Sequence, residues 1–238
     1  METDISLSKK MTLFGYCAGN TPLVVEAARE SLNVSGFDIV KNVPVDLPEN
    51  LAERFGAEFN VSYADQFSFE RLSNIHFGVL DAHLKYAVFH YFHKHYGIKK
   101  DEFTSIIHPK SYLAGSVICE PGLLLEPMAV ISTETRTGFG VTVKRNSSIG
   151  HHVTLRDFVT INPGAILSGN VTVGEGATIG SGATIIHNVT IGKYILIGAG
   201  SVVTRDIPDG VVAFGNPCKV VRKYDRWENV LQAEEAGI

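Results

Sequence analysis

From Val153 onward the chain repeats in sixes: VTLRDF, VTINPG, AILSGN, VTVGEG, ATIGSG, ATIIHN, VTIGKY, ILIGAG, SVVTRD. The third residue of each unit (Leu155, Ile161, Leu167, Val173, Ile179, Ile185, Ile191, Ile197, Val203) is a branched aliphatic, and the residue two before it is small or β-branched. The same frame runs back through Ile149, Val143, Thr137, Ile131, Leu125, Cys119 and Leu113, weakest at Thr137 and Cys119. A helix brings apolar positions back every ~3.6 residues and a plain strand every ~2, so a period of six held over about ninety residues fits neither. It fits a short strand followed by a corner. Two inward side chains two apart share one strand face, and glycine after the third residue, as at Gly174, Gly180, Gly192 and Gly198, suits the backbone of a tight corner. Coils of this kind stack at ~4.8 Å per layer and bury an aliphatic column too narrow for aromatic rings.

The first half alternates differently. MTLFGY (11–16) predicts a strand, and PLVVEAARESL a helix with Pro22 at its start. FDIVKNVPV (37–45) predicts a second strand, LPENLAERFGAEF a helix, and IHFGVL (75–80) a strand. Residues 81–97 predict a helix capped by Asp81 and ended by Gly97, with EFTSIIHP as a last strand. This is the pattern of a small α/β, Rossmann-like parallel sheet with helices on both faces, whose ligands sit beyond the carboxyl ends of the strands. At the other end, Trp227, Val230 and Leu231 have the spacing of a short docking helix. The expected division is an α/β domain over 1–107, a β-helix over 108–215 and a tail over 216–238.

Composition agrees with the division. Residues 1–109 hold 15 of the 21 Phe and Tyr but 6 Gly, whereas 110–215 hold 5 Phe and Tyr and 16 Gly, as two differently built cores require. A net charge of -4 argues against nucleic acid as a partner. Three cysteines without a C-x-x-C motif suggest neither disulfides nor zinc and point to a reducing cytoplasm, and no run approaches the ~18 apolar residues of a membrane span.

The repeat resembles the hexapeptide-repeat acyltransferases, whose signature is [LIV]-G-x-x-x-x, and GNPCK (215–219) is similar to their closing G-x-P-[AS]-[KR]. The resemblance implies 18-residue triangular coils of a left-handed parallel β-helix, about five of them. An α/β domain, then Ile107-His108-Pro109, then the coils is the order of the bacterial sugar N-acetyltransferases of the sialic acid O-acetyltransferase and bacillosamine acetyltransferase type. It implies an acetyl-CoA donor, a nucleotide-linked (UDP or dTDP) 4-amino-4,6-dideoxy sugar acceptor, and a homotrimer with shared sites. The alternatives are O-acetylation of sialic acid or a similar hydroxyl, and a trimeric scaffold without catalysis.

Acetyl transfer needs a group near pKa 7 to take the nucleophile's proton, which suits histidine. In SIGHHVTLRDFVTINPGA (148–165), counting back from Pro163-Gly164 puts His151 on the family's general base, with His152 beside it. Relatives place a carboxylate next to this histidine. Here Glu134, about one coil earlier, and Asp157 are the substitutes available, and Lys144 and Thr160 stand where relatives carry Asn and a second His. Coenzyme A is expected along Gly169, Ser181, Gly198, Ala199 and Lys219. The nucleotide sugar is expected at the opening turn (Gly15, Cys17, Gly19, Asn20), Asn42 and Asp81, with Lys144, His152 and Thr160 in the acceptor pocket. No metal is expected, since the three-histidine pattern of a zinc carbonic anhydrase is missing.

Overall fold

The computed structural model describes residues 9–46, 51–72 and 74–235. The N-terminal domain is a four-stranded parallel sheet. β1 (Lys10–Phe14) leads through α1 (Thr21–Leu32) to β2 (Gly36–Lys41), then through the short α2 (Leu51–Phe55) to β3 (Glu58–Tyr63), and β4 (His76–Phe77) precedes α3 (Ala82–Tyr96). The strand order is β3-β2-β1-β4, so the chain moves outward on one side of β1 and returns on the other. Ligands of open parallel sheets bind at such a switch point.

Two elements differ from the sequence reading. The helix expected over 47–59 is reduced to Leu51–Phe55, with residues 47–50 outside the described set, and its last residues join β3 instead. Val61 and Tyr63 on this edge strand are exposed, so no hydrophobic alternation announces it. The strand expected from EFTSIIHP is Ile106–Ile107, and it pairs with Leu124–Leu125 of the coils rather than with the N-terminal sheet. α3 follows the expected bounds, with Gly97 in the left-handed region (φ 71) closing it through bonds to His93 and Phe92 carbonyls.

From Ile106 the chain winds as a left-handed parallel β-helix of two-residue strands on three faces. Face I carries Ile106–Ile107, Leu124–Leu125, Thr142–Val143, Thr160–Ile161, Thr178–Ile179 and Leu196–Ile197. Face II runs from Tyr112–Leu113 through Ser148–Ile149 to Val202–Val203, and face III from Ile118–Cys119 through Thr154–Leu155 to Thr190–Ile191. Each strand pairs with the one 18 residues on, as Thr142 does with Thr160 and Ser148 with Ile166. From Leu123 to Val203 both inward residues of each unit are buried, Val153 and Leu155 at 0% and 1%, in one continuous core, whereas Leu113 and Val117 of the first coil are partly buried and Cys119 is exposed. Each such side chain contributes about 1.5–3 kcal/mol by leaving water.

The corners sharpen the role of glycine. From Gly122 to Gly200 every sixth residue has positive φ, held by Gly at six positions and otherwise by residues such as Asn146, His152, Phe158 and Asn170. The glycines that directly follow the inward residue do something else: a methyl on Gly180 would stand 2.5 Å from Ala199 N of the next coil. One corner position needs the left-handed backbone, and the one two before it needs no side chain.

A hairpin (Val211–Gly215 and Cys218–Lys223) and α4 (Arg226–Glu235) end the described chain. Trp227 of α4 is buried against Tyr86 and Tyr194. The two rings expected to be excluded from the coils, Phe139 and Phe158, point outward into the aromatic cluster of Phe77, Phe89 and Phe103 and so weld the N-terminal domain to one edge of the prism. Among the described residues no helix is long and apolar enough to cross a membrane, and no cluster of three His, Cys, Asp or Glu is placed to hold a metal.

Candidate active site

The turn after β1 is fixed from below. Gly15 (φ 78) lies so close to Gly78 that a methyl on Gly78 would strike the Gly15 carbonyl at 2.0 Å. Thr21 Oγ1 accepts from Cys17 N–H at 2.9 Å and donates to the Gly78 carbonyl at 2.7 Å, tying the first turn of α1 to the loop after β4. Across the switch point Asn20 Nδ2 donates to Asp81 Oδ2 at 3.3 Å. Asp81 makes no side-chain cap to α3, so its carboxylate is turned to this crevice. Gly15, Cys17, Asn20 and Asp81 are thus one group, with Gly19 on the same turn. Asn42 lies apart, beyond β2, in a cleft with Lys41, Tyr63, Asp65 and Gln66.

Face I brings the β-helix to that crevice. Thr160 Oγ1 donates to the Leu80 carbonyl at 3.0 Å, and the buried Lys85 donates to the Gly140 carbonyl at 2.6 Å and to Thr142 Oγ1 at 2.9 Å. Burial holds the Lys85 ammonium well below the usual lysine range. Lys144 stands at the edge between faces I and II and donates to Asn162 Oδ1 at 3.0 Å. Burial lowers its pKa, while the charges of Glu126 and Asp81 oppose that shift. Glu126, one coil below Lys144, accepts from Arg145 N–H at 3.0 Å through Oε2, and its Oε1 is buried without a partner among the described residues. Residues 18 apart on one edge form a column, so Glu126, Lys144 and Asn162 make a polar rail beside the crevice. Glu126 and Asn162 escaped the sequence reading, although the 18-residue coil period aligns them with Lys144.

His151 and His152 are elsewhere. They lie at the edge between faces II and III, in the corner between Ser148–Ile149 and Thr154–Leu155, and both are exposed. The column through His151 continues to Gly169, where a methyl would stand 2.4 Å from His151 Cε1 and 2.5 Å from Nε2, and on to His187. The His151 ring therefore fills the space that a side chain on residue 169 would take. His151 Nδ1 and His152 Nδ1 are 3.0 Å apart. Glu134 is in the column of His152 rather than His151. It is exposed, and its backbone N–H donates to Ser116 Oγ. Asp157 is occupied on the far edge, accepting from Phe139 N–H at 3.0 Å and pairing with Lys100 at 2.6 Å. Among the described residues no carboxylate is hydrogen-bonded to either ring.

The residues expected to meet the coenzyme divide in the same way. Gly169 shares the edge of His151, while Ser181, Gly198 and Ala199 lie on the edge of Lys144 and Lys219 is in the closing hairpin. Within one chain His151 and the crevice are on different edges of the prism, with face II between them.

Residues 154–187 and 170–205 match the bacterial transferase hexapeptide family, described by six repeats. No curated protein matches the chain. Among solved structures, the acetyltransferase domain of PglB from Neisseria gonorrhoeae FA1090, in complex with acetyl coenzyme A, is 27% identical over 90% of this chain and 100% of its own, with a TM-score of 0.75. A histidine-to-asparagine mutant of perosamine N-acetyltransferase from Caulobacter crescentus, in complex with CoA and GDP-perosamine, is 25% identical over 91% of this chain and 98% of its own, also at 0.75. WeeI from Acinetobacter baumannii AYE shares the fold at 21% identity, over 90% of this chain and 100% of its own, with a TM-score of 0.70.

Proposed function

We propose that this chain, a hexapeptide-repeat acyltransferase by its coils, is an acetyl-CoA-dependent N-acetyltransferase that acts on a nucleotide-linked 4-amino-4,6-dideoxy sugar and works as a homotrimer. The observation that carries the reading is likeness over nine-tenths of the chain, N-terminal domain included, to one acetyltransferase domain holding acetyl coenzyme A and one sugar N-acetyltransferase holding CoA and a nucleotide sugar. An isolated hexapeptide scaffold would have no reason to keep the switch-point crevice and the rail of Glu126, Lys144 and Asn162 beside it.

His151 is the general base in this reading. As the acceptor amine attacks the thioester carbonyl, the C–N bond forms and His151 takes the amine's proton; when the C–S bond breaks, the imidazolium returns that proton to the departing sulfur. The crevice around Asn20 and Asp81 holds the nucleotide sugar, and Lys144 and Asn162 meet its sugar ring. Assembly supports the same geometry. Face II presents Tyr112, Val130 and Ile166 outward, with the small Ser148 between the last two and Met128 at its edge, a mainly apolar exposed strip. Packing three copies through this face sets the His151 edge of one against the Lys144 edge of the next, which completes three sites from six half-sites.

The test is release of free coenzyme A thiol from acetyl-CoA across UDP-, dTDP- and GDP-linked amino sugars and their hydroxyl analogues. Turnover confined to the hydroxyl compounds replaces N- with O-acetylation. No turnover with any acceptor, together with no calorimetric binding of coenzyme A, leaves only the scaffold.

A further inference from the structure

We infer that His152 is a positioning residue for His151, accepting a hydrogen bond from His151 Nδ1–H and standing where a carboxylate would otherwise support the base; this rests on the acetyltransferase reading above. Two ring nitrogens 3.0 Å apart can be bonded only if one carries the proton and the other a lone pair. If His152 were the donor, the neutral His151 would carry its proton on Nε2 and have no free lone pair for the acceptor. If His151 donates from Nδ1, its Nε2 is free to take the acceptor's proton, and His152 keeps its own proton on Nε2. Proton uptake at His151 Nε2 then makes Nδ1–H a charge-assisted donor, so the bond strengthens as the amine attacks.

The surroundings fix the same geometry. The two rings stand almost perpendicular, at 86°, with centroids 5.1 Å apart, and the His151 ring sits in the space that the absent side chain of Gly169 leaves free. His152 also pays a conformational cost for being there. Its φ is 56°, in a corner row where Gly and Asn are the low-strain residues. Its exposed ring buries no apolar core, and among the described residues its side-chain hydrogen bond is the one to His151. The acid aligned with it, Glu134, is a coil away and bonded to neither ring.

The left-handed backbone makes His152→Gly an unusually clean test, because it removes the ring while relieving the strain. The expected result is an unchanged or raised melting temperature, a fall in kcat of about tenfold, and a KM for acetyl-CoA within about twofold of the parent. His152→Asp, which restores a carboxylate acceptor, should recover most of the lost kcat. Nitrogen NMR of isotopically labelled histidine supplies a readout independent of turnover: His151 should be protonated at Nδ1 in the parent and shift toward the Nε2–H form in His152→Gly. Retention of kcat by His152→Gly, or an unchanged His151 tautomer, overturns the proposal. A parent enzyme that acetylates no acceptor sinks the acetyltransferase reading instead, and the NMR result still decides whether His152 sets the tautomer.

Discussion

The two edges that flank face II share one backbone, a corner every six residues and a strand pair every 18, yet they carry opposite surroundings. The edge between faces I and II lies beside the N-terminal domain, and its column of Glu126, Lys144 and Asn162 is partly or fully buried. The edge between faces II and III is bare, and its column of His151, Gly169 and His187 is open to solvent apart from the packing of the imidazole on the glycine. The coil demands only two inward aliphatics per unit, so the outward corners are free to be specialised. What distinguishes the edges is what has been laid against them. Under the proposed function, an acceptor crevice on one edge and a base on the other would make a closed prism work only in company.

The largest effect belongs to His151, the proposed base. His151→Ala should lower kcat by on the order of 100- to 10,000-fold, measured as thiol release, with little change in stability because the side chain is exposed. Asp81→Ala should also inactivate, at the crevice, without uncapping α3, since the carboxylate makes no cap. Co-expressing the two variants tests the division directly. If each site takes His151 from one copy and the crevice from the next, randomly mixed trimers regain about one intact site in four. If both halves belonged to one chain, the mixture would stay dead.

Next in size is the separation of the copies. Ile166 is exposed at the centre of face II, and Ile166→Asp should leave the coil folded while placing a charge in the mainly apolar strip. Light scattering should show monomers, and activity should fall with the trimer population. A monomeric variant with full activity would place base and crevice within reach of each other in one chain and end the two-edge account.

The edges also explain what the sequence could tell. From Leu123 to Val203 period six names every inward residue from the chain alone, because burial inside the stack is set by position in the unit; the end coil, with nothing stacked below it, leaves Cys119 exposed. The N-terminal layer gave up less. β3 is an exposed edge strand with no apolar alternation, and it reads as the tail of a helix that in fact stops at Phe55. His151 was found through its motif, and Lys144 by its offset from it. Glu126 and Asn162 were one register step from Lys144, but their part depends on the N-terminal domain covering that edge, a tertiary fact that no local pattern encodes. The same holds for Lys85, an unremarkable lysine in its helix until Gly140 and Thr142 are brought to it.

A smaller effect tests the covered side. His76, in strand β4, is fully buried, with Nδ1 donating to the Thr104 carbonyl at 2.9 Å and Nε2 without a partner among the described residues. Burial pushes its pKa down to about 4 from an ordinary 6.5. The folded chain keeps it neutral while the unfolded chain protonates it. Its contribution is therefore fully present above pH ~6.5, is lost as pH falls, and levels off below about 4, a difference of about 3 kcal/mol. Denaturant titrations at pH 7, 5.5 and 4.5 should show that slope, and His76→Leu should flatten it whatever its constant cost. A parallel decline in both proteins would mean that other groups carry the acid sensitivity.

The finest test falls on the bare edge itself. Gly169 has no positive φ, so alanine fits its backbone, and the atoms a methyl would meet are those of the His151 ring. A ring at the end of a side chain can swing aside at little cost to the fold, but it cannot then keep both its seat on residue 169 and its bond to His152. Gly169→Ala should thus leave the melting temperature within a degree or two while lowering kcat by about tenfold. In a His151→Ala background the ring is gone, and the same alanine should change neither residual activity nor stability, so the two substitutions should be strongly non-additive. Gly150 supplies the contrast: a methyl there would meet the backbone of Gly169 at 2.8 Å, which cannot swing away. Gly150→Ala should cost stability with or without His151. If Gly169→Ala behaved like Gly150→Ala, the glycine would be serving the coil and not the imidazole, and the claim that this edge is shaped around its base would fail.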